Sequence, residues 1–172
     1  MGRLVIVLVA AGAAAYYFLI MGSQLSEADV RAYYSTYQTH LDDGNAKAMC
    51  DMLADKYQEQ STISTSAGIV QDSNNKAQAC EAYEKMFASM RDMSEKLKMP
   101  VVFNSVVNLD SIDIAPGKKQ AVATGSSDLK MGTEKVLLTR TTATGTATFI
   151  KRYGKVQMLT SESKGTMRLY GQ

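Results

Sequence analysis

The chain has 172 residues, of which 45% are hydrophobic and 21% charged, with a formal net charge of +2. That composition belongs to a foldable chain of about one domain and not to a disordered segment. No lysine or arginine run exceeds two residues, which argues against a nucleic-acid surface, so no nucleic-acid partner is expected.

Residues 3–23 read RLVIVLVAAGAAAYYFLIMGS. One arginine precedes nineteen apolar positions from Leu4 to Gly22, about 28 Å of helix against a hydrocarbon core of roughly 30 Å. A cleaved signal peptide and a retained anchor are the two readings. The A-x-A at Ala13 and Ala15 sits in the middle of the apolar run, whereas a cleavage motif follows the apolar core. An anchor over residues 1–24 is therefore favoured, crossing the bilayer with residues 4–22. Arg3 would face the cytoplasm and a domain of residues 25–172 would lie outside it. In a bacterium this is a single-pass inner-membrane protein with a periplasmic domain. The small residues Ala10, Ala11, Gly12, Ala13 and Ala14 would permit close approach of another membrane helix.

Ser26 and Asp29 have capping-box spacing, which predicts a helix start. Val30, Tyr33, Tyr37 and Leu41 recur at helical spacing up to Gly44. A second, short helix is expected over 45–57, with Met49, Cys50, Leu53 and Tyr57 on one face. The stretch STISTSAGIVQDSNN (61–74) reads as a short strand or hairpin followed by a loop. A third helix is expected over 76–99, where Cys80, Tyr83, Phe87, Met90 and Leu97 form one stripe that Pro100 ends.

The periodicity then changes to two. Strands are expected over 102–114, 120–129, 136–150 and 156–169, with turns at 115–118 and 151–155 and a bulge at Gly165. In RTTATGTATFI the small residues Ala143, Gly145 and Ala147 are assigned to the core side. The threonines Thr142, Thr144, Thr146 and Thr148 are assigned to solvent. The expected fold class is α+β: a transmembrane helix, then three helices on a curved antiparallel sheet of four to six strands.

The only cysteines are Cys50 and Cys80, with no C-x-x-C, which argues against a zinc site or a c-type haem. Outside the cytoplasm they read as one disulfide, whose loop of about thirty residues would contribute about 3–4 kcal/mol. Two buried free thiols are the other reading.

The phrase NNKAQACEAYEKMFASM resembles the third helix of nuclear transport factor 2-like (cystatin-like cone) domains, and TGTATFIKRYGKVQMLTSES resembles their final hairpin. The resemblance covers about residues 26–170. It implies a cone of helices over a curved sheet, in a superfamily of isomerases, dehydratases, binding pockets and interaction modules. A membrane-anchored version is similar to the periplasmic assembly domain of type IV secretion systems.

Enzymes of that superfamily use an acid or base inside the cone, with tyrosine donors. The residues offered as lining are Tyr33, Tyr37, His40, Tyr83 and Asp110. His40 is the only histidine, and Asp110 shares the strand phase of Val102, Val106 and Ile112. Each also has a plainer role: a histidine at a helix end, core aromatics, a rim carboxylate. The methionines of the third helix, Met86, Met90 and Met93, read as core filling. No catalytic residue, metal or cofactor is assigned. The leading expectation is a non-enzymatic interaction or assembly module, or an accessory subunit, with subunits of an envelope membrane complex as partners. Self-association into a homo-oligomer is left open. The alternative is a small-molecule binder, or an isomerase- or dehydratase-like enzyme, using the cone pocket.

Overall fold

The computed structural model describes residues 21–170. The expected membrane helix lies outside the described residues except for its last two positions, which belong to a single 3-10 turn, Met21–Ser23. Among the described residues no helix is long and apolar enough to cross a membrane.

Helix α1, Glu27–Asp42, starts at the expected capping box: the Asp29 amide donates to the Ser26 hydroxyl, and the Ser26 amide donates to the Asp29 carboxylate. Gly44 follows in the left-handed region at φ 65°. Helix α2, Ala46–Asp51, is shorter than expected. The chain is already extended at Leu53, so Leu53 and Tyr57 belong to strand β1, Leu53–Thr65. Their three- and four-residue spacing imitates a helix. The alternation Tyr57, Glu59, Ser61, Ile63 is the period that prevails, because pairing with strands on both sides satisfies the backbone. Strand β2, Gly68–Asn75, completes the hairpin that was one of the two expectations for 61–74 and extends it over the residues expected as a loop; Asn75 then caps helix α3, Lys76–Leu97. Cys50 of α2 and Cys80 of α3 form the expected disulfide.

Strands β3 (Val102–Ile114), β4 (Gln120–Gly132), β5 (Leu137–Arg152) and β6 (Lys155–Leu169) follow as an antiparallel meander. The six-stranded curved sheet has the order β2-β1-β6-β5-β4-β3. It is mixed, not purely antiparallel, because β1 runs parallel to β6. The bulge expected at Gly165 is absent there: Gly165 stays in register with Ala143. The β5–β6 register shifts instead between Thr148 and Phe149, opposite Thr160 and Met158.

Curvature has a visible cause. Gly125 and Gly145 are direct partners on β4 and β5. A methyl group on Gly125 would lie 2.3 Å from the Asn108 carbonyl oxygen, and one on Gly145 would lie 2.4 Å from that of Glu162. Only glycine permits that approach of neighbouring backbone. The inner face of the bent sheet carries the core: Ala121, Ala123, Ala147 and Phe149 are buried against Val30 and Tyr33 of α1. The Phe149 ring meets Tyr33 and Tyr34 edge-on at 4.9 and 5.6 Å. A second cluster joins Leu41, Met49 and Phe87, with Met86 and Met90 packed against it. The α+β expectation and the small-residue core side agree with this architecture.

Candidate functional site

Between the helices and the inner sheet face lies a cavity of about 300 Å³. Its size follows from the residues beneath it. Where β4, β5 and β6 offer Gly125, Ser127, Ala143, Gly145, Ser161 and Ser163, the side chains are too small to fill the space under the helices. Tyr34 and Tyr37 of α1, Tyr83 and Met86 of α3, and Tyr57 of β1 form the walls. Two carboxylates belong to the lining, the half-buried Glu59 and the exposed Glu162.

The strand period puts Glu59 there. It is two residues from Tyr57, which is 3% exposed, so both point inward from β1. Asn74 on the neighbouring strand β2 donates to the Glu59 carboxylate at 3.4 Å. Burial raises the Glu59 carboxyl above the ordinary glutamate value; the Asn74 hydrogen bond opposes this, and the charge of Asp72 adds to it. The tyrosines respond to the same enclosure. Tyr37 and Tyr83 share a hydrogen bond, and Tyr57 is hydrogen-bonded to Ser161. Burial pushes Tyr34 up to about 12. Tyr57 and Tyr83 are also raised, first by burial and then by surrounding charge including Glu59. These phenols stay protonated, as hydrogen-bond donors, at any physiological pH. A half-buried carboxyl beside neutral donors can hold or accept a proton next to a ligand oxygen.

The residues singled out from sequence are divided by the fold. Tyr37 and Tyr83 are on the cavity wall. Tyr33 is core instead: it is 3% exposed, packs on Phe149, and its hydroxyl donates to the Met52 carbonyl at 3.4 Å. His40 occupies the last turn of α1 outside the lining. Asp110 is exposed on the opposite face of the sheet. The strand is bulged at this point: Leu109 pairs with Gly125 and Ser111 with Thr124, leaving Asp110 as the extra residue. Its phase matches Val102 and Val106, which are themselves 52% and 50% exposed, while Ile112 beyond the bulge returns to the core side. Asp110 borders a polar outer groove with Thr124, Thr144, Glu162 and Lys164.

Glu59 was not visible in the sequence reading because a helix was expected up to Tyr57. The alternation from Tyr57 to Ile63 was the signal that could have shown it. Among the described residues no group of three or more histidine, cysteine or acidic side chains could hold a metal.

No protein-family model matches the sequence, and no curated protein does. Solved structures do match in fold. A ketosteroid isomerase-like protein from Erwinia carotovora atroseptica is 12% identical at a TM-score of 0.53, covering 82% of this chain and 98% of its own. A scytalone dehydratase-like protein from Novosphingobium aromaticivorans is 11% identical at 0.57, covering 84% and 87%. A nuclear transport factor 2-like protein with a cystatin-like fold, also from Novosphingobium aromaticivorans, is 11% identical at 0.55, covering 80% and 79%. The fold is thus that of the nuclear transport factor 2-like cone, as the sequence resemblance implied. The expectation that the domain is not an enzyme is overturned, because proteins named for an isomerase and a dehydratase share this fold. Identities this low carry the fold and no activity.

Proposed function

With the cone as scaffold, we propose that this chain is a small-molecule-handling domain tethered to the outer side of a bacterial inner membrane, its ligand held between Glu59 and the tyrosines. The observation that carries the reading is Glu59: a half-buried carboxyl, raised by that burial, facing a cavity walled by tyrosines that stay protonated. A ligand with an apolar body and one carbonyl or hydroxyl tip fits such walls. The chemistry in keeping with it is proton transfer beside a carbonyl. The Glu59 carboxylate takes a proton from the adjacent carbon while a tyrosine hydroxyl donates to the developing enolate oxygen. Return of the proton to another carbon completes an isomerisation; loss of hydroxide, protonated to water, completes a dehydration. The apolar run 4–22 and the Cys50–Cys80 disulfide support the membrane and extracytoplasmic setting.

The test is binding of 1-naphthol, a bicyclic probe with a single hydroxyl. Saturable binding is expected, weakened about tenfold by Tyr57→Phe, the loss of one hydrogen bond to the probe's hydroxyl. Equal affinity in the wild type and in Tyr57→Phe and Glu59→Gln would remove the reading.

A second reading, an assembly module or accessory subunit of an envelope complex, is favoured by β2. This edge strand leaves Ile69 and Val70 69% and 48% exposed, a template for pairing with another chain. Co-purification from solubilised membranes tests it; a chain that always emerges alone counts against it.

A further inference from the structure

One end of the molecule is fixed by where the N-terminal segment arrives. The Gly154 amide donates to the Gly22 carbonyl at 2.9 Å, and the Leu25 amide donates to the Lys118 carbonyl at 2.7 Å. Leu25 is itself 1% exposed, set in the core. The residue at which the apolar run ends is therefore held between the β3–β4 turn (115–119) and the β5–β6 turn (152–155). These turns are neighbours, since Gln120 pairs with Ile150.

Their tips are built to project. Gly117 and Lys118 have φ 82° and 55°, and Tyr153 and Gly154 have φ 50° and 78°. Lys118, Lys119, Arg152 and Lys155 are all exposed, and Tyr153, at 82%, is the most exposed large hydrophobic side chain among the described residues. Arg152 and Lys155 sit directly opposite each other across the hairpin, a like-charge pairing that costs stability when nothing anionic faces it. Among the described residues none of these four cations forms an ion pair, although neighbouring Lys151 is engaged with Asp29 at 2.8 Å. The acidic groups around this end include Asp29, engaged with Lys151, Asp51, whose carboxyl feels Lys155, and Asp113 near the end of β3.

We infer that this end is a membrane-docking face, on which Lys118, Lys119, Arg152 and Lys155 contact the phosphates of anionic lipids while Tyr153 enters the headgroup layer. The inference rests on the anchor reading of residues 4–22, which brings Gly22 to the bilayer surface. Four exposed cations and an amphipathic ring at that point match an anionic interface. Docking would hold the cone upright and fix which side of the cavity faces the membrane.

The chain contains no tryptophan, so Tyr153→Trp introduces a single reporter. The full-length variant is reconstituted into phosphatidylcholine vesicles with and without phosphatidylglycerol, and flotation and fluorescence are read together. Expected is flotation in both, with emission shifted to the blue and quenched by brominated acyl chains only where phosphatidylglycerol is present. Adding Lys118→Glu, Lys119→Glu and Arg152→Glu should leave flotation intact and abolish the shift, lowering the docked fraction on the order of 100-fold. Emission that stays at its water-exposed position in floating anionic vesicles overturns the docking face. A chain that does not float overturns the anchor reading, and the docking face falls with it.

Discussion

Glu59 and Asp110 are both carboxylates on strands of one sheet, and the comparison between them separates its two faces. Glu59 follows the inward phase of Tyr57, is half-buried, and is raised by that burial among phenols that stay protonated. Asp110 follows the outward phase of Val102 and Val106 and stands in solvent beside threonines. The inner face has small residues and an open cavity, and the outer face has a threonine array and exposed ion pairs. Burial separates the carboxylate that faces the cavity from the one that stands in solvent.

The sharpest way to break this contrast is to fill the inner face. Gly145→Val places atoms against the Glu162 backbone and should cost about 3 kcal/mol or more in urea unfolding. Thr144→Val, one residue away on the outer face, should change stability by less than about 0.5 kcal/mol. Equal effects would refute the two-faced account. Next in size, reducing the Cys50–Cys80 bond, which ties the helices over the cavity, should cost about 3–4 kcal/mol, seen as a lower midpoint with reductant.

A smaller effect comes from the cone's outer seam. Burial alone would raise the Asp29 carboxyl, but hydrogen bonds from Lys151 and Ser26 outweigh it and hold it below the usual value. Its contribution is present at neutral pH and is lost as pH falls from about 3.8 through the lower folded value. Asp29→Ala should cost about 1–2 kcal/mol at pH 7, with that difference shrinking as pH falls below about 3.8. Glu59 has the opposite sign. Its folded carboxyl holds the proton longer than the unfolded one, so it makes stability fall as pH rises from 4.5 through the raised value. Glu59→Gln should flatten that fall.

Much of the fold was legible because β3 to β6 alternate cleanly between turns that contain glycine, and because Ser26 and Asp29 announce α1. The candidate site was less so. Tyr37 and Tyr83 could be read from helical spacing. Glu59 was hidden because Met49, Cys50, Leu53 and Tyr57 satisfy a helical period as well as a strand entering a sheet. Asp110 was misplaced because its valine neighbours in phase, Val102 and Val106, face outward, and the bulge that returns Ile112 to the core side leaves no sequence mark. Tyr33 belonged to the same stripe as Tyr37, and only the position of Phe149 separates core from cavity wall.

The most direct test of the central claim is a carbon-13 NMR titration of the Glu59 carboxyl, with and without 1-naphthol, assigned by Glu59→Gln. The account predicts a midpoint above the ordinary glutamate value that moves again when the probe binds. A midpoint at the ordinary value, indifferent to the probe, would contradict it.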